Sequence, residues 1–356
     1  MYSRSNTLAR AARKQKTCRA CRRCRSISTL STEEITRSRL YCLNLLRGQD
    51  TPSSLLLPYL PASSRDAYLA LRAFNIEVAR TADTTSTPTI GTMRLQFHRE
   101  AVTKALAGQP PKQPVSILLA KAAEDVAENT GGRGKWSKSW FMRVIDTREN
   151  TLLYLTLQSL PMASLTADHV ASHIGKATGI AAVLRGFPLL AFPGPPPKHN
   201  NQNQFGGDVG GSRQGAVTLP LDIMAKAGVR EEDVLRNGSN AKGLRDAVFA
   251  VATRANDHLI TARQLLQQVR AGEVEDHEFE HRDEEEHLYL PSKSGRNETQ
   301  AQELERAFAV FMPAIATQLW LDRLEKEDFD VFSPKLRVTD WRLPWKAFWA
   351  WQRRKI

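Results

Sequence analysis

Four cysteines in 356 residues are too few for a disulfide scaffold. Three of them, Cys18, Cys21 and Cys24, crowd into the N-terminal segment, which leaves Cys42 alone in the rest of the chain. Carboxylates are missing from the first 32 residues, the earliest being Glu33. Period-two alternation is almost absent, so a domain built on β-sheet is excluded. Apolar runs long enough to cross a bilayer are lacking as well, the longest candidates being interrupted by charge or proline, and no membrane-spanning helix is expected. What remains is 41% hydrophobic, enough to bury a substantial core and to exclude disorder throughout.

The net charge of +12 points towards nucleic acid until its distribution is followed. Nine basic residues lie between Arg4 and Arg25, and without them the chain carries only +3. A segment rich in Arg, Ser, Thr and Ala but free of acids has the composition of a mitochondrial transit peptide. Arg25-Ser26-Ile27-Ser28 suits a processing site, so residues 1–30 are read as a disordered presequence. The CxxCxxC spacing of Cys18, Cys21 and Cys24 resembles half a metal site, but it alternates with Arg inside the segment expected to be removed. Nothing downstream resembles a nucleic-acid-binding module, and no nucleic-acid partner is expected.

From Ser31 onward helix follows helix, beginning with a capping box of Ser31 and Glu34. Ala67, Leu71, Phe74 and Val78 form one stripe. Pro114 opens a helix closed by Gly131 and Gly132, and a further helix follows from Trp136. Thr166 caps a helix that is expected to end near Arg185, because Pro188 follows. Val248, Val251, Ala255, Leu259, Ala262, Leu266 and Val269 hold a stripe for some seven turns, and Leu304 to Leu319 repeats the pattern with a break at Pro313. The expectation is one all-α domain over 31–352, carrying solvated loop inserts at 193–215 and 273–295.

Specific runs add a resemblance. Ala70-Leu71-Arg72-Ala73-Phe74-Asn75-Ile76-Glu77 is similar to the first signature helix of the squalene/phytoene synthase family. Met93-Arg94-Leu95-Gln96-Phe97, Asp168 to Ala177, Leu184-Arg185, Ala227-Gly228-Val229 and Phe329-Asp330-Val331-Phe332 follow in the family's order. Arg72 to Glu77 and Ala171 to Ala177 resemble the branch of that family that serves assembly of respiratory complex I. The resemblance implies an isoprenoid-synthase-like helical fold, complex I subunits or assembly intermediates as partners, and a mitochondrial location.

Enzymes of this family hold prenyl diphosphates through Mg²⁺, a hard cation that needs carboxylate oxygens. Laid on this chain, the first Asp-rich motif falls on Ala79 and Arg80, with Asp83 retained. An Arg in place of a metal ligand repels the ion. The second motif falls on Gly186 and Leu190, where no carboxylate stands. The resemblance therefore implies a pseudoenzyme without metal or cofactor. A prenyl-diphosphate-using transferase and a metal-free isoprenoid- or lipid-binding protein are the alternatives, with Arg80 and Arg185 as candidate ligands for an anionic group. Glu77 is read as part of a buried polar pair.

The acidic run 273–287, with His277, His281 and His287, reads as a solvated charge block rather than a metal site. His169 and His173 stand one helical turn apart, a spacing that suits a metal, but no third ligand is evident and they are read as core or surface histidines. Near the C-terminus Trp341, Trp345, Phe348 and Trp349 share a helical face flanked by Arg342, Lys346, Arg353, Arg354 and Lys355. Such a segment fits a helix lying in an anionic membrane interface, with Trp341, Trp345, Trp349, Arg353 and Arg354 as the contact set, although Pro344 is expected to interrupt it. Peripheral attachment to the matrix side of the inner membrane follows from this and the leader. After Asp146-Thr147-Arg148-Glu149, relatives in the family continue for about twenty residues, the length of a ~30 Å helix, before a Leu-Leu-Tyr-Leu run. Here Asn150 and Thr151 lead directly into Leu152-Leu153-Tyr154-Leu155, so apolar faces are expected on the neighbours of the missing segment.

Overall fold

The computed structural model describes residues 30–81, 84, 88–129, 136–146, 165–193, 215–271 and 300–356. The leader, Asp83, the segment 147–164 and nearly all of both inserts lie outside them. Among the described residues every regular element is helical.

An N-terminal group comprises α1 (Thr32–Gln49), α2 (Thr51–Leu56), α3 (Ala62–Ala79), α4 (Pro88–Leu106), α5 (Pro114–Asn129) and α6 (Lys138–Asp146). The capping box at its start forms as expected: Ser31 Oγ accepts from the Glu34 amide at 3.1 Å, and the Ser31 amide donates to Glu34 Oε2 at 3.0 Å. The stripe Ala67, Leu71, Phe74 and Val78 is buried among α1, α4 and α5, with Phe74 edge-on to Phe141 at 5.6 Å. Burying each such large side chain contributes about 1.5–3 kcal/mol.

The second group contains α7 (Leu165–Ala191), α8 (Leu221–Ala227), α9 (Glu231–Asn237), α10 (Leu244–Ala271), α11 (Gln300–Phe311), α12 (Pro313–Lys326) and α13 (Leu343–Arg353). Its core lies along the α7–α10 seam, where Val170, Ile174, Ala177, Ala181 and Leu184 meet Val248, Ala255, Leu259 and Ala262. Small residues on both sides let these two long helices run close together. Gly228 ends α8 in the left-handed conformation, and Gly243 lets the Ala227 carbonyl approach to where a Cβ would stand 2.1 Å away. Leu56, Phe308, Ile315, Leu319 and Leu343 form a third cluster, joining α2 to α11, α12 and α13.

Three expectations are corrected. Pro188 does not stop α7, which continues to Ala191 with the proline inside it. Pro344 does not interrupt the C-terminal helix but occupies its first turn, where a missing amide costs nothing. One described helix, Thr166–Ala191, is long and apolar enough by length and composition to cross a bilayer. Its buried stripe is the central core stripe, so packing accounts for its composition.

Candidate functional site

Two helices carry the positions onto which the resemblance lays the family's Asp-rich motifs. At the end of α3, Ala79 is half-buried and Arg80 exposed. Arg80 lines a cleft of about 350 Å³ with Tyr41, Glu77, Arg94, His98 and Gln113, drawn from α1, α3, α4 and the turn before α5. Glu77 accepts from Gln113 Nε2 at 2.5 Å and from the Tyr41 hydroxyl at 3.3 Å. Burial raises its proton affinity, with those two donors opposing. Burial lowers that of His98, helped by Arg94. The cleft thus offers two arginines to one tethered carboxylate.

On α7, Gly186 and Leu190 lie one turn apart on a continuous helix, and Leu190 faces solvent. Leu189 and Val183 are exposed beside it, and Phe192, also exposed, packs against the Phe332 ring at 5.6 Å. Arg185 takes a different direction. Its guanidinium lies 5.2 Å from the centroid of the Trp320 ring, and desolvation pulls its proton affinity down, with Asp50 opposing. The side chain is nonetheless solvent-accessible. Asp50 also pairs with Arg72 at 3.9 Å, and Arg72 stacks on Tyr68 at 5.3 Å. Tyr68 Oη and Trp320 Nε1 are buried without a hydrogen-bond partner among the described residues. Asp50, Tyr68 and Trp320 were invisible to motif reasoning because they come from three separate helices or their caps.

The C-terminal helix presents Trp345 and Trp349 with 65% and 53% of their surface exposed, while Trp341, 77% exposed and expected on the same helical face, lies in the turn before it. Arg353 sits over Trp349 at 5.2 Å. Arg354, expected on the same flank, turns inward: it lies 3.6 Å from the Trp351 centroid and 3.4 Å from Glu305. Arg342 is held by Asp340 at 2.7 Å, so among the described residues Lys346, Arg353 and Lys355 are the cations of this flank without an ion-pair partner. A histidine row also appears. His169 Nε2 is 3.2 Å from His173 Nε2, and His173 Nδ1 is 3.0 Å from His258 Nδ1 on α10. The residue that sequence reading missed is His258, since its proximity depends on helix packing and not on spacing.

The squalene/phytoene synthase profile matches residues 46–162 and 149–346. The chain belongs to the squalene/phytoene synthase family. Its two matched stretches overlap at 149–162. The mouse protein named NADH dehydrogenase (ubiquinone) complex I, assembly factor 6 is 32% identical over 343 residues, covering 90% of this chain and 84% of that one. Its human counterpart is 33% identical, covering 85% and 79%, and the Drosophila melanogaster homologue 28% identical, covering 87% and 82%. Squalene synthase HpnC from Alicyclobacillus acidocaldarius superposes with a TM-score of 0.56 at 13% identity, covering 85% of this chain and 98% of its own. A dehydrosqualene synthase superposes at 0.57 with 13% identity, covering 90% and 98%. At that identity the superpositions establish the fold, the all-helical architecture of these synthases.

Proposed function

We propose that this protein is a non-catalytic assembly factor for mitochondrial respiratory complex I. The observation that carries the reading is a conjunction. Relatives at 32–34% identity over most of the chain bear the assembly-factor name, while Ala79, Arg80, Gly186 and Leu190 stand where the family's chemistry requires carboxylates. A diphosphate carries several negative charges, and without a metal cage an ionising leaving group has nothing to neutralise it. The acid-free leader supports import into mitochondria with cleavage near Ser28. The exposed tryptophans of α13, with Lys346 and Arg353 beside them, support peripheral attachment to the matrix face of the inner membrane. Deleting the gene and separating respiratory complexes on native gels tests the function: complex I falls selectively, whereas unchanged complex I overturns the proposal.

A second reading, binding of an isoprenoid or lipid without metal, is favoured by the Arg185 guanidinium held over the Trp320 ring beside the Tyr68 and Trp320 polar atoms, which have no hydrogen-bond partner among the described residues. Native mass spectrometry of protein purified from its own mitochondria would detect such a ligand, and its retention after Arg185→Ala would exclude Arg185 as its anchor.

A further inference from the structure

An apolar stripe on α4 is only half buried. Ile90, Met93, Phe97 and Ala101 recur at spacings of three, four and four; Ala101 is buried, whereas Ile90, Phe97 and above all Met93, at 66%, are exposed. Phe97 lines the Arg80 cleft together with Tyr41 of α1, and Tyr41 and its sequence neighbour Leu40 are exposed as well. Leu45 and Ile76 add to the apolar lining. Among the described residues neither Arg80 nor Arg94 has an ion-pair partner, and Arg94 donates instead to the Thr84 hydroxyl at 2.7 Å. The one carboxylate in the described lining, Glu77, is held by Gln113 and Tyr41. Two guanidiniums inside an apolar depression select an anion that brings apolar groups with it.

We propose that this cleft and the exposed stripe of α4 beside it form a docking surface for an acidic amphipathic segment of a protein partner, its apolar anchor entering beside Tyr41 and Phe97 and its carboxylates meeting Arg80 and Arg94. Arginine takes a carboxylate through two parallel N–H···O bonds. A helical segment lays anchors every three or four residues, the spacing at which Ile90, Met93 and Phe97 are offered. A cleft of about 350 Å³ lies at the low end of the ~300–1,000 Å³ that small ligands occupy, room for an anchor side chain and little more. A bilayer takes apolar groups that project from a surface, whereas the two arginines here line a depression. That the partner is a complex I component rests on the assembly-factor reading; the chemistry of its segment does not.

The test selects phage-displayed random peptides on the full chain and measures the recovered peptides by fluorescence anisotropy. They are expected to carry acids beside an aromatic or large aliphatic residue and to bind less well as salt rises. Affinity should fall at least about tenfold in the double variant Arg80→Glu, Arg94→Glu and again in Phe97→Ala. If F97A folds poorly, because Phe97 also leans on His98 at 5.8 Å, the exposed Met93→Ser replaces it. No recovered peptide, basic or wholly apolar peptides, or affinity that survives both kinds of variant overturns the proposal. So does a parental dimer in sedimentation velocity that F97A dissociates, which assigns the face to a second copy, or binding to anionic phosphatidylcholine vesicles that the charge reversal abolishes, which assigns it to lipid. In cells lacking the gene, the parent should restore complex I and the charge-reversed variant should not. Equal restoration by both overturns the docking surface and leaves the assembly-factor reading standing. Complex I unaffected by the deletion removes that reading and leaves the peptide selection to decide.

Discussion

Replacing Trp345 and Trp349 together with Ala removes the two exposed rings nearest the centre of α13. A tryptophan offers about 200 Å² of surface, so at 65% and 53% exposure the pair holds roughly 240 Å² in water. At about 25 cal/mol/Å², complete withdrawal from water would contribute ~6 kcal/mol. A helix lying at the headgroup boundary buries only part of its apolar face, so about half of that, ~3 kcal/mol, is the expected contribution, equivalent to roughly a hundredfold in partitioning. Lys346, Arg353 and Lys355 add about 1 kcal/mol each near an anionic surface, a contribution that salt screens. The assay is co-sedimentation with phosphatidylcholine vesicles containing or lacking an anionic phospholipid, at low and high salt. The double variant should keep the parental circular dichroism and melting temperature, since both rings are mostly exposed and, among the described rings and cations, Trp349 meets Phe348 and Arg353. It should bind anionic vesicles about a hundredfold less well. Undiminished binding would refute the reasoning and turn attention to α7.

Incubated with Mg²⁺ and farnesyl or geranylgeranyl diphosphate, the purified protein should release no pyrophosphate above background in a coupled assay; chelator-sensitive release would reveal ligands other than the family's. Burial pushes the Cys42 thiol up to about 12, so a chain lacking the leader should resist a thiol reagent at pH 8 until unfolded, and prompt native labelling would contradict that burial. Glu77→Gln tests the electrostatics of the Arg80 cleft. The raised carboxyl of Glu77 penalises the folded state above its folded-state value, and that penalty disappears below the unfolded value. The glutamine variant should therefore melt higher than the parent at pH 8 and lose its advantage towards pH 4; an advantage that grows in acid would reverse the assignment.

Helix periodicity made most of the fold legible. The stripe from Val248 to Val269 and the one around Phe74 are buried as read, because a helix whose apolar residues recur every three or four positions has only one face to bury. The motif positions were equally accessible, since Ala79, Arg80, Gly186 and Leu190 follow from local sequence alone. Features that depend on which helix lies beside which were not. The approach of His258 to His173 joins residues 85 positions apart, and Arg185 meets Trp320 only because α12 packs on α7. Arg354 shows the same limit: grouped by sequence with the cations flanking the tryptophans, it caps α13 in the left-handed conformation, where Glu305 of α11 and the Trp351 ring hold it.

Pro188 marks where a local rule gave way to packing. A proline inside a helix forfeits one backbone hydrogen bond and crowds the preceding turn, at a cost of about 3 kcal/mol. In α7 the helix nevertheless continues to Ala191, because Leu184, Phe187 and Ala191 all lie in the main core, and stopping at Arg185 would expose Phe187 at about 2–3 kcal/mol. The sign of a single substitution distinguishes the two accounts. If the proline lies within the helix, Pro188→Ala restores the bond to the Leu184 carbonyl and relieves the crowding, while losing ring packing of about 1.5 kcal/mol. The net should be a gain of about 1 kcal/mol, or a few degrees in melting temperature. If the helix ended before it, the substitution would lose packing and recover nothing, and the protein would melt lower. A stabilised variant would also establish that Gly186 and Leu190 keep their one-turn spacing. The two positions onto which the resemblance lays the second Asp-rich motif would then share one face of an unbroken helix.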